Sequence, residues 1–159
     1  GETDLMIETF LSESYTNPMM LLSIQNQLSR FIADDADNIF KDKLKKALLI
    51  RSQKSQDLFW NQYLSWYFVQ QKEFGKAFIQ EKSIYSRNPE SFSNIVNLAQ
   101  MSEDERDTET AIDIYNFILE NTQDQELKIK ANYFIKKIQL DHAKETEFAI
   151  FGIIKAPRL

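Results

Sequence analysis

Apolar residues recur along most of the chain at intervals of three and four, the spacing that gathers them on one face of an α-helix. Phe40, Leu44, Ala47 and Leu48 form one such stripe, and Phe74, Ala77, Phe78, Ile84 and Tyr85 a second, interrupted by Glu81. Ala111, Ile112, Tyr115, Ile118 and Leu119 form a third, and Leu127, Ala131, Phe134, Ile135 and Ile138 a fourth. No segment reads as a strand. The pattern predicts eight helices, over residues 3–14, 18–32, 37–54, 57–71, 74–87, 90–101, 106–121 and 124–140.

Punctuation along the chain supports these limits. Asn17-Pro18 and Asn88-Pro89 each place a capping side chain before a proline at the first helical position, where its missing N–H costs nothing. Asp37 and Asp57 precede apolar-periodic runs as expected N-caps. Ser102 with Glu105, and Thr122 with Gln125, have the spacing of a capping box. The joints at 33–37, 72–73, 87–89, 102–107 and 121–124 are short, so neighbouring helices are expected to run antiparallel.

Composition sharpens this picture. The 159 residues are 43% apolar, enough for a folded core, and include only 3 glycines and 3 prolines, too few turn residues for a β-sandwich or barrel. A net charge of −5 lacks the basic excess that displaces counterions from nucleic-acid phosphates, so no nucleic-acid partner is expected. The absence of cysteine excludes disulfides and thiolate metal sites. No apolar run approaches the roughly 20 residues that span a bilayer, so no transmembrane segment is expected. The chain opens on Gly1, which suggests a fragment of a longer protein and leaves its targeting open.

Self-similarity is the strongest signal. Leu64 recurs as Leu98, Ser65 as Ala99, Ala77 as Ala111 and Ile84 as Ile118, every pair separated by one and the same interval. In the segment 57–88, large Leu64 and small Ser65 are followed by Phe68, Phe74 and Ala77, and Pro89 closes the unit. In 90–121 the same places hold Leu98, Ala99, Ala111, Tyr115 and Ile118, with Gln123 at the proline position. This series resembles the tetratricopeptide (TPR) repeat family, whose period of about 34 residues is the interval from Leu64 to Leu98. Small residues there let the paired helices approach, and large ones fill the groove between pairs. The chain departs from the family pattern at Ser65, at Lys72 and Arg106 in place of the mid-unit glycine, and at Glu81 in place of an aromatic. Ala47 stands closer to Ala77 than that interval, so 18–54 reads as a degenerate hairpin, and 124–140 as an additional helix before a tail at 141–159. The run from Phe59 through Trp60, Asn61, Leu64, Trp66, Gln70, Gln71, Lys72, Glu73, Phe74, Ala77 and Phe78 also resembles a segment of long bacterial TPR proteins, which implies a piece of a larger exported scaffold.

The fold expected is therefore all-α: antiparallel α-hairpin repeats stacked as a TPR-like right-handed superhelix, in a single domain spanning 1–159. By the same resemblance, the first-helix positions facing the concave surface are Phe59, Gln62, Trp66, Val69 and Gln70 in one unit, and Ser93, Val96, Gln100, Glu103 and Asp104 in the next. Such a groove, part aromatic and part amide, would take a peptide with apolar anchors. It lacks the Lys and Asn that clamp a peptide's C-terminal carboxylate in chaperone-binding members.

Other features read more simply as structure. The aromatics Phe59, Trp60, Tyr63, Trp66, Tyr67 and Phe68 surround their helix, which is satisfied either by burial on both sides or by one side lining a groove. His142, the only histidine, has no partners at a metal or triad spacing and reads as a solvated helix end. The acidic runs at 34–37 and 103–109 lack the glycine of a calcium loop and suit helix N-termini. Lys41, Lys43, Lys45 and Lys46 fall largely off their stripe, as a solvated face does. No phosphate loop, nucleophile elbow or paired-histidine motif occurs, so no catalysis, metal or cofactor is expected. The expected function is a non-catalytic protein- or peptide-binding scaffold. The alternative is a purely structural segment associating through its apolar C-terminal end, with the tail 147–154 mediating assembly. The location stays open, an exported or periplasmic one being favoured over the cytoplasm by the resemblance alone.

Overall fold

The computed structural model describes residues 1–152 of the chain. It is all-helical, 83% helix, with eight α-helices packed against their neighbours and no strand among the described residues. They are α1 (Glu2–Thr16), α2 (Leu21–Ala33), α3 (Ile39–Lys54), α4 (Leu58–Gln70), α5 (Phe74–Arg87), α6 (Ser93–Asp104), α7 (Thr108–Asn121) and α8 (Gln125–Ile150), with a 3₁₀ turn at Pro18–Met20. The chain divides into two compact units, Gly1–Gln71 and the remainder from Lys72. Among the described residues, no helix is long and apolar enough to cross a membrane.

In the first unit α1 packs on both α2 and α3, and α3 packs on α4. Ile7, Leu11, Ile24, Leu28, Leu44, Leu48 and Leu64 are buried, most of them one turn from the next on their own helix. One polar pair is buried with them: the Ser14 Oγ and Tyr63 hydroxyl lie 3.0 Å apart. The Ser14 Oγ also donates to the Phe10 carbonyl at 2.8 Å. Lys43 pairs with Asp4 at 3.1 Å, and the Arg51 guanidinium pairs with Glu8, so part of the lysine-rich face of α3 is committed to α1.

In the second unit α5 packs on α6 and α7, α6 on α7, and α7 on α8. Small Ala77, Ala99 and Ala111 are fully buried, which is what close helix approach requires. Ile95, Leu98, Ile114 and Ile118 fill the space between them. Phe117 meets Phe78 and Tyr85 edge-on, with ring centroids 5.6 and 5.8 Å apart.

A backbone periodicity runs through the helices. α5 and α7 are equally long, and both ends of α7 are displaced from those of α5 by the interval that separates Leu64 from Leu98. Asn38, Lys72 and Arg106 follow one another at the same interval. Among the described residues they are the non-glycine residues with positive φ, at 62°, 56° and 62°. Each sits in the turn before the helix that follows it. The left-handed conformation is costly for a side-chain-bearing residue, which is why glycine commonly fills it.

Several local expectations are corrected. Asn17 makes no capping hydrogen bond, and Asn88 ends α5 instead of starting α6, whose first residue is Ser93. The segment 88–92 is irregular, and its first three residues form a γ-turn in which the Glu90 N–H donates to the Asn88 carbonyl. Ser102 lies inside α6, where its buried hydroxyl donates to the Leu98 carbonyl at 2.8 Å, so it cannot cap α7. The N-caps are Asp57, Asp107 and Asp124, whose carboxylates accept from the backbone N–H groups of Phe59, Thr110 and Glu126 at 3.0, 3.2 and 3.0 Å. Thr122 therefore does not cap α8. Asn38, not Asp37, precedes α3. Helix α8 continues past the expected end at 140 as far as Ile150, so 141–150 is not a tail. His142 sits within it, half-buried, and its Nδ1 is buried without a hydrogen-bond partner among the described residues, which is not a solvated helix end. Of the tail 147–154, Glu147–Ile150 is the last turn of α8, and Ile153 and Ile154 lie outside the described residues.

Candidate functional site

The five positions expected on α4 share one face of it. Phe59, Trp66 and Val69 are half-buried and Gln62 and Gln70 exposed, whereas Trp60, Asn61, Tyr63, Leu64, Ser65, Tyr67 and Phe68 are buried. Four of the six aromatics of this helix are thus core residues. Trp60 is stacked on Tyr15 of α1 at 5.5 Å, and the Arg51 guanidinium lies 5.2 Å from the centre of its ring. Phe59 stands edge-on to Tyr15, Trp60 and Tyr63, and Trp66 edge-on to Tyr63. Gln70 accepts a hydrogen bond from Ser29 at 3.1 Å. This face is rigidly supported from beneath.

The charges around it are fixed by local partners. Asp57 is held below the usual carboxylate range by the Phe59 N–H and by the Tyr15 hydroxyl, which donates to it at 2.8 Å. Glu8 is likewise lowered, chiefly by its hydrogen bonds from Arg51. Burial pushes the Tyr63 hydroxyl up to about 12, partly offset by Ser14. None of these groups is poised to exchange a proton near neutrality.

Val96 and Gln100, the positions expected on α6, line a hollow of about 240 Å³ inside the second unit. Tyr115 and Ile118 of α7 form its floor. The far wall comes from α8: Leu127, Ala131 and Phe134, with Lys130 beside them. Ala131, the small residue one turn after Leu127, is buried in that wall. The Tyr115 and Phe134 rings stack at 5.3 Å and an interplanar angle of 18°, which fixes both walls. The Tyr115 hydroxyl leaves the hollow to donate to Glu103 at 2.6 Å; burial and this carboxylate hold its proton firmly. Val96 is half-buried and Gln100 exposed, so the hollow opens to solvent along α6 with a polar lip of Gln100 and Lys130.

Of the remaining α6 positions, Ser93 is exposed at the helix start. Glu103 is engaged by Tyr115, and Asp104 is exposed at the end of α6. The α8 wall was not among the expected site residues. Its signal was the spacing of Leu127, Ala131 and Phe134, which reads as core until the packing of α8 on α7 is known.

A second cavity, of about 150 Å³, lies among Glu103, Arg106, Asp141, His142 and Glu145. Arg106 is paired to Glu145 at 2.7 Å and Glu103 to Tyr115, so the charged groups there largely satisfy one another. No group of three or more His, Cys, Asp or Glu side chains able to hold a metal occurs among the described residues. Compared with family models, with curated proteins and with solved structures, the chain matches none.

Proposed function

We propose that this chain is a TPR-like, non-catalytic binding module whose second unit accepts an apolar side chain of a partner peptide. The observation that carries this reading is the hollow between α6, α7 and α8. Its volume of about 240 Å³ exceeds the roughly 150 Å³ that admits a benzene-sized group, yet falls below the roughly 300 Å³ at which pockets for whole small ligands begin. One large aliphatic or aromatic side chain is the matching size. Its walls are apolar, and Gln100 and Lys130 at the lip suit a peptide amide and a neighbouring carboxylate.

The relationship to TPR repeats is part of the same proposal. It is supported by the equal spacing of Asn38, Lys72 and Arg106 in one backbone conformation and by the matching displacement of α5 and α7. The test is selection from a displayed peptide library on the chain and on Val96→Trp, which fills the hollow. Enrichment of an apolar anchor beside an acidic residue on the former, lost on the latter with helix content unchanged, is expected. Equal enrichment on both would exclude the hollow as the site.

A further inference from the structure

The hollow between α6, α7 and α8 does not end at Val96 and Leu127. Both residues also line an adjoining, more open recess of about 440 Å³. The two spaces thus form one groove, running from the starts of α6 and α8 to Gln100 and Phe134. The segment before α6 bounds its near end. There the Phe92 ring lies 4.7 Å from that of Tyr85 and pins the stretch that carries Glu90.

The two ends of the groove carry opposite charge. Lys130 stands exposed beside the hollow, whereas Glu90 and Asp124, both exposed, line the recess. Among the described residues no ion pair engages Lys130 or Glu90, while Arg106 and Glu145 elsewhere in the unit satisfy each other at 2.7 Å. Asp124 commits one carboxylate oxygen to the Glu126 N–H at 3.0 Å. The N-terminus of α6 also lies at this end, but its partial charge is roughly half a unit against two carboxylates. Between the ends, Val96 and Leu127 are half-buried and apolar, and Asn97 offers an amide to a main chain.

We infer that the groove takes an extended peptide whose apolar anchor lies between an acidic residue at Lys130 and a basic residue at Glu90 and Asp124. The inference rests on the hollow being an anchor site and adds the charge pattern of the partner. Complementary charge on each flank also fixes the direction in which the segment lies. At 1.5 Å per residue, Asp124 and Lys130 stand about 9 Å apart along α8. An extended chain advances about 3.3 Å per residue, so the acid and the base of the partner are about three positions apart. A helical partner would need about six positions to span the same length.

Selection from a displayed peptide library on the 159-residue chain, on Lys130→Glu and on Glu90→Lys tests this, with helix content checked by circular dichroism. The chain is expected to enrich an apolar anchor between an acid and a base about three positions apart. Lys130→Glu should lose the acid and keep anchor and base; Glu90→Lys should lose the base and keep anchor and acid. A peptide so selected should bind each variant about fivefold more weakly by isothermal titration, the difference shrinking in 1 M salt, as exposed charge pairs do. An anchor that is enriched, and lost on Val96→Trp, with flanking residues indifferent to both reversals would overturn this inference and leave the anchor site standing. No enriched anchor would overturn both. Acid and base about six positions apart would overturn the extended register.

Discussion

Lys72 and Arg106 hold the same left-handed backbone conformation, at φ 56° and 62°, in the turns that precede α5 and α7. The turn dictates this conformation, and the residues in it are not the type it favours. Lys72 also reaches Glu105, the residue before Arg106, at 3.1 Å, although both groups are largely exposed and the pair contributes little.

The first prediction follows. Lys72→Gly relieves a backbone cost of roughly 1–2 kcal/mol, offset in part by the greater freedom glycine has when unfolded. A net gain of about 0.5–1 kcal/mol is expected in urea denaturation. Arg106→Gly should gain less, because it also deletes the 2.7 Å contact with Glu145.

Asp57 is the start signal of α4. Asp57→Ala removes the acceptor for the Phe59 N–H and the partner of the Tyr15 hydroxyl, and should cost about 1 kcal/mol, the usual worth of an N-cap. Asp57→Asn, which keeps an acceptor, should recover most of that loss.

Tyr63 gives the first unit a sensitivity to base. Its hydroxyl ionises near 10.0 when free and at about 12 when buried in the fold, so the folded state keeps a proton that the unfolded chain sheds. Its contribution is constant below pH 10 and falls as pH rises between those two values, by on the order of 2 kcal/mol. Tyr63→Phe should lose about 1 kcal/mol near neutrality with the Ser14 contact, and should unfold less steeply across the alkaline window.

On α4, Trp66 and Gln62 present the least buried face of a helix otherwise given to the core. If this face contacts a selected peptide, Trp66→Ala and Gln62→Ala should each weaken binding by isothermal titration, the former more strongly, by about 2 kcal/mol or more. Unchanged affinity in both would confine recognition to the hollow.

The sequence made the helices legible where apolar stripes were dense and joints short. α5 begins and ends at the expected residues, 74 and 87, because Phe74, Ala77 and Phe78 mark its face and Asn88-Pro89 its end. α6 begins later than expected because Pro89 lies in a turn, and the Ser91 hydroxyl accepts from the Ser93 N–H to open the helix instead. α8 outran its expected limit because beyond Ile138 its inward positions are His142, Thr146 and Ala149, which carry little apolar signal. Val96 and Gln100 came from the repeat resemblance. The wall facing them could not, since Leu127 and Phe134 belong to a helix for which no repeat partner was visible.

Leu140 also occupies the place where a fourth left-handed turn would fall at the same interval, and it remains helical. With no break there, α8 is one continuous helix and acts as a spacer. At about 1.5 Å per residue the run from Ala131 to its C-cap Phe151 spans about 30 Å. A ligand anchored at one end and an attachment at the other would be kept at that fixed separation, and a tether joining the two would have to match its length.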